Sequence, residues 1–284
     1  MLIRVVCLLF GLIAWQGQTA LLMLSDDPKD KNLFSQQSSQ DLASDSYQLL
    51  FAELPHYPVD IQIAPITRIN TILNGNTPVC ALSRIKTKLR QMYHLYSLPV
   101  HLFPSHRLYY YPVQQQIDPD LLNLHGELRG LTQLMSRYPK AVLAIETSKS
   151  YGPSLDAQIE QIPADQLLTR AGSDAYAAMI AMFEKKRSNF LIAYPSVFKQ
   201  YAEANTLTQI TSLSIAENPA YIPGHIACSK SPQTEAFLVA VNKALLKLYR
   251  SPEFLDMHLH YVPPSDKDML MRRIGDLVLS AATP

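Results

Sequence analysis

Apolar and polar positions along this chain follow two periods, and the switches between them mark its elements. Leu21-Leu22-Met23-Leu24 before Ser25-Asp26-Asp27-Pro28 predicts a short buried strand running into a turn. After a polar stretch from Lys29 to Asp45, Tyr47, Leu50, Phe51 and Leu54 fall at helical spacing, and Pro55 stops that helix. Val59-Asp60-Ile61-Gln62-Ile63 alternates as a strand. Pro65 opens a helix through Ile69, Ile72 and Leu73 that Asn74-Gly75-Asn76 closes, and Pro78 to Leu82 reads as the next strand. This strand–helix–strand–helix–strand order implies an α/β layer with parallel strands.

Further on, Leu89, Met92, Tyr93, Leu95 and Tyr96 predict a helix beginning at Thr87, whose hydroxyl can cap it. Arg107 to Tyr111 reads as a strand. Leu121 to Tyr138 reads as one long helix on the spacing of Leu121, Leu124, Leu128, Leu131 and Leu134. Ala141 to Ile145 is a buried strand, followed by the polar loop Thr147 to Gly152 and a short helix with Pro153 at its first position. Helices are expected over Ala175–Lys186, Ser196–Ala204, Thr234–Arg250 and Lys267–Val278. Strands are expected over Phe190–Tyr194, Gln209–Ile215 and Tyr221–Cys228.

Charge changes this picture at one place. Arg84, Lys86, Lys88 and Arg90 surround the start of the Thr87 helix, where the macrodipole favours carboxylates by about 0.3–1 kcal/mol each. Cations at a positive helix end make sense if an anion binds among them; a solvated basic turn is the alternative. Over the whole chain the net charge is only +1 across 284 residues, which argues against a nucleic-acid binder.

Arg4 and the apolar run Val5 to Trp15 read as the positive and hydrophobic regions of a signal peptide ending near Ala20, which would send the mature chain across the inner membrane to the periplasm. Its removal leaves Cys80 and Cys228. An even count in an exported chain invites a disulfide, with two buried thiols as the alternative. For an enzyme the material is thin. Ser154 in Gly152-Pro153-Ser154-Leu155-Asp156 lacks the second glycine of a nucleophile elbow, so a secreted hydrolase is a weak reading. His258 and His260 read as surface residues rather than metal ligands, and no cofactor is implied. Tyr109, Tyr110, Tyr111, Tyr151, Tyr194 and Tyr221 could line a cleft and stack on a planar ligand, or simply pack the core.

Thr87-Lys88-Leu89-Arg90 followed by Tyr96-Ser97-Leu98-Pro99 resembles the T-x-x-R…F-S-x-P-Y stretch of family 3 extracellular solute-binding proteins, the type 2 periplasmic binding proteins. Phe183 to Phe190 and Val241 to Phe254 resemble two further stretches of that family in the same order. The resemblance implies an α/β fold of two lobes joined by two crossing strands, with the ligand between them. Lobe 1 would hold residues 21–105 and 225–284, and lobe 2 residues 106–224. Cys80 and Cys228 would then share a lobe, which favours their pairing.

By the same resemblance, Arg90 would grip a ligand carboxylate in a two-pronged contact and Thr87 would assist it. Ser148, Ser150 and Tyr151 would face them from lobe 2, with Arg84 and Tyr194 as walls. Tyr194 stands where amino-acid binders carry an acid for the ligand ammonium; Asp26 or Asp27 could replace it. The implied protein is a monomeric, non-enzymatic binder of a small polar solute. Its membrane partner would be a permease for uptake or, alternatively, a signalling receptor on which it docks as a sensing adaptor.

Overall fold

The structure, a computed structural model, describes residues 20–34, 41–172, 175–204, 209–262 and 267–280. The expected signal segment lies outside them except for Ala20. Among the described residues no helix is long and apolar enough to cross a membrane.

Two sheets form, each with helices on both faces. In the first, β1 (Leu21–Ser25) runs parallel to β2 (Val59–Ile63) and β3 (Val79–Arg84). The links are the helices α1 (Leu42–Ala52) and α2 (Ile66–Leu73), as the order of periods implies. β11 (Tyr221–Cys228) returns from the far end of the chain and pairs antiparallel with β3, with β4 (Leu95–Tyr96) and with β5 (His101–Pro104). The second sheet has the order β10 (Thr211–Leu213), β6 (Arg107–Tyr110), β9 (Phe190–Ala193), β7 (Leu143–Glu146), β8 (Leu167–Arg170). The chain passes between the sheets twice, just after β5 and just before β11.

Strand alternation assigns the side chains. Met23, Cys80 and Leu82 point to one face of the first sheet, where α1 meets α8 (Pro232–Leu248), α9 (Pro252–His260) and α10 (Lys267–Ser280). Leu24, Val79 and Ala81 point to the other, against Ile69 and Leu73 of α2. In the second sheet Leu143, Ile145, Phe190 and Ile192 face α4 (Leu131–Arg137) and α5 (Pro153–Ile159). Ala144, Leu191 and Ala193 face α6 (Ala175–Glu184) and α7 (Pro195–Ala204). Covering both faces explains why these strands read as unbroken apolar runs. Cys80 and Cys228 sit opposite each other in the β3–β11 ladder and form a disulfide.

Three expectations need correction. The Thr87 helix, α3, is four residues long (Lys88–Gln91), because Leu95–Tyr96 is taken into the first sheet by β11. So short a helix supplies no useful dipole, and the anion argument from its N-terminus falls. Residues 121–138 are not one helix. Leu121 ends a 3-10 turn, Leu128 bridges to Leu122 and Ile215, and α4 starts only at Leu131. His258 is buried: its Nε2 accepts the N–H of Leu102 at 3.2 Å, which leaves Nδ1 to donate to the Phe254 carbonyl at 2.8 Å.

Candidate functional site

The parallel strands of both sheets end on polar residues that meet in one cavity of about 520 Å³. β1 delivers Ser25 and, just beyond, Asp26; β3 delivers Ser83 and Arg84; β7 delivers Glu146; and Tyr194 follows β9. Carboxyl ends of strands are where open α/β sheets place ligands. Here both sheets contribute, so the cavity lies between them.

Local backbone features hold these ends. The β3–β11 register slips by one residue between His225 and Ala227, opposite the stretch of β3 where Ser83 has a left-handed φ of 52°. Such a bulge re-aims the residue that follows it, here Arg84. The buried Tyr47 hydroxyl accepts the Ser83 N–H at 2.5 Å. In the second sheet the buried Tyr151 hydroxyl does the same for the Glu146 N–H at 2.7 Å, just before Ser148, also left-handed at φ 63°. One tyrosine in each lobe therefore ties down a strand end at the cavity.

The charges are mixed. Arg84 is buried and donates to Asn70 Oδ1 at 2.6 Å; burial lowers its pKa, an effect Asp26 opposes. Arg90 spends one guanidinium N–H on the Ile85 carbonyl at 3.3 Å. Glu146, 3% exposed, pairs with Lys149 at 3.0 Å. Burial raises the Glu146 pKa although Lys149 opposes it; burial would lower Lys149, but Glu146 and Asp26 outweigh it and hold the ammonium charged. Lys149 also lies over the Tyr176 ring at 4.6 Å. Among the described residues, Asp26 has no hydrogen-bond partner.

Asp30, 4% exposed, accepts the Ser25 hydroxyl, and burial pushes its pKa up to about 7 despite that bond. The native state thus holds a proton that the unfolded chain, near 3.8, has already released. Stability from this group is full below pH 4, declines as pH rises to 7, and is flat above. Asp30→Asn, which keeps the Ser25 contact without a charge, should raise stability by roughly 1–3 kcal/mol at pH 8 and by little at pH 4. Thermal melts of the two proteins at both pH values would check this, and equal gains at both would refute it.

Of the residues singled out in the sequence, Arg84, Arg90, Ser150 and Tyr194 line the cavity, and so do Asp26 and Asp27. Thr87, Ser148 and Tyr151 do not. Thr87 caps α3 by accepting the Arg90 N–H, Ser148 is exposed, and Tyr151 is committed to Glu146. The Ser150 hydroxyl is engaged by Asp156. Of the six tyrosines considered, only Tyr194 reaches the cavity. Sequence reasoning missed Glu146, Lys149, Asp30, Phe103 and Tyr176. One signal was present: an apolar strand, Leu143-Ala144-Ile145, that stops on a carboxylate with a lysine three residues on.

No family model and no curated protein matches this chain in sequence. Its fold does match solved structures. A structure from work on glutathione import through a cystine importer of Streptococcus mutans is 14% identical, over 87% of this chain and 98% of the other, with a TM-score of 0.63. A periplasmic binding protein of Salmonella typhimurium with high arginine specificity is 13% identical, over 86% and 99%, at 0.60. A histidine kinase sensor domain with similarity to periplasmic binding proteins is 12% identical, over 86% and 96%, at 0.62.

Proposed function

We propose that this chain, which has the two-lobed fold of the type 2 periplasmic binding proteins, is an exported protein that closes its lobes on a small polar solute bearing a carboxylate, for uptake. The observation behind this reading is the convergence of strand ends from both sheets on one cavity whose lining interleaves cations, Arg84, Arg90 and Lys149, with the carboxylates Asp26 and Glu146. Arg90 and Arg84 take the carboxylate, Arg90 through the donors it does not spend on Ile85. Asp26, which has no hydrogen-bond partner among the described residues, takes a cationic group if the solute has one, in place of the acid that Tyr194 displaces. Ser150 and Tyr194 bound the site from the second lobe. Residues 21–105 with 225–284, and 106–224, are the lobes that move. No chemistry at the site calls for catalysis, and we assign the protein to the periplasm with a membrane permease as partner.

Solute at about 100 times its dissociation constant should stabilise the protein by roughly 2.7 kcal/mol. Arg90→Ala, at a half-exposed position, should keep the unliganded melting temperature and lose most of that gain. A screen of amino acids, small peptides and dicarboxylates by thermal shift supplies the ligand; an unchanged ligand response in Arg90→Ala would remove the assignment. The sensor-domain likeness supports a second reading, in which the closed form docks on a membrane receptor. A permease gene beside this one favours the first, a sensor kinase gene the second.

A further inference from the structure

We propose that the solute carries a planar aromatic ring beside its charged head, and that Phe103 and Tyr194 form the platform on which the ring lies, braced by His101 and His106. This rests on the binding reading above and specifies the ligand of the same cavity. Phe103 comes from β5, at the crossing between sheets, and Tyr194 from the end of β9. Their rings lie 5.0 Å apart at an angle of 33°, and both line the cavity. His106 is stacked on Tyr194 at 3.8 Å and 30°, and His101 meets the Phe103 ring edge-on at 4.5 Å and 63°. The series continues on each side, from His106 to Tyr151 at 5.0 Å and from His101 to Tyr47 at 5.6 Å. One run of aromatic rings thus includes the two that line the cavity and joins the two tyrosines that tie down the strand ends.

The two histidines act as packing rings, His106 by its face and His101 by its edge. Both are buried, and none of their four ring nitrogens has a hydrogen-bond partner among the described residues. With no hydrogen bond to a described residue holding either ring, ring packing is what positions them. Burial holds both neutral, and the Lys149 ammonium adds to this at His106. Gly224, across the ladder from His101, also lines the cavity, and a Cβ there would fall 2.0 Å from His101 Nε2. The strand must therefore carry glycine for the His101 ring to stay against Phe103. Ile180, Val197 and Ile222 complete an apolar wall that a charged head alone would leave uncovered, and ring faces at such distances favour an offset partner.

Isothermal titration of the purified protein with L-tryptophan, L-phenylalanine, 3-phenylpropionate, L-alanine and L-arginine tests this. At least one ring-bearing compound should bind 100-fold tighter than L-alanine, and 3-phenylpropionate separates a need for the ammonium from a need for the ring. Tyr194→Ala should lose at least tenfold of that ring preference, while Tyr194→Phe and His106→Phe, which keep a flat ring, should retain it. Binding of L-arginine or L-alanine with no preference for a ring would overturn the platform and leave the solute-binding reading standing. Silence from every ring compound would overturn it too, and so would an unchanged preference in Tyr194→Ala.

Discussion

Replacing Cys80 and Cys228 together by alanine should lower the unfolding free energy by roughly 2–5 kcal/mol, seen as a drop in the urea midpoint. The bond joins residues 148 positions apart. Closing a loop that long removes denatured-state entropy worth about 5 kcal/mol in the chain-entropy model, an upper value because the open chain keeps some structure. Both cysteines are fully buried, so alanine adds a small cavity cost in the same direction. Reductant should shift the wild-type midpoint similarly and leave the variant unmoved. Superimposable curves for oxidised wild type and variant would refute the expectation. The effect should extend to the site, because β11, pinned to β3 at Cys228, carries Ile222, Pro223 and Gly224 into the cavity wall four to six residues away.

How much was readable in advance depended on whether local pattern and long-range pairing agreed. They agreed for β1, α2 and β3, where buried runs alternate with an amphipathic helix, and for α8, whose Ser231 and Thr234 form a capping box before an apolar stripe. They disagreed at residues 121–138. There Leu121, Leu128, Leu131 and Leu134 do fit a helical period and are buried. Leu124, among them, is fully exposed, however, and Leu128 is claimed by a bridge to Ile215, a partner 87 positions away that no local window sees. The same happened after Thr87: its cap forms as expected, but β11 draws Leu95 and Tyr96 into a strand.

The site was half legible for a related reason. Arg84 and Arg90 stood out as unbalanced charge, while Glu146 and Lys149, three residues apart, were not singled out and gain meaning only from burial. His101 and His106 gave no signal, since their role is set by what stacks on them.

The Glu146–Lys149 pair should show the larger single-site effect on stability. Lys149→Met leaves a carboxylate 3% exposed without its ion-pair partner, with Arg84 as a weaker, more remote charge, and breaking such a pair costs about 3–5 kcal/mol. The Glu146 pKa, already raised by burial with Lys149 as the main opposing charge, rises further when that charge is removed. The variant's deficit should therefore be largest at pH 8 and shrink toward pH 5, as the carboxyl takes up a proton in the folded state. Lys149→Met with Glu146→Gln should recover most of the loss, since two neutral side chains of similar volume replace two charges. A coupling of roughly 2–3 kcal/mol between the substitutions in a double-mutant cycle at pH 8 is the expected result. If the two losses simply added, the ion pair would have no standing as a stabilising contact. If the double variant regained stability but lost its response to solute, one or both of the two charges would act on the ligand directly, because the pair's contribution to folding would already have been removed from both sides of the comparison.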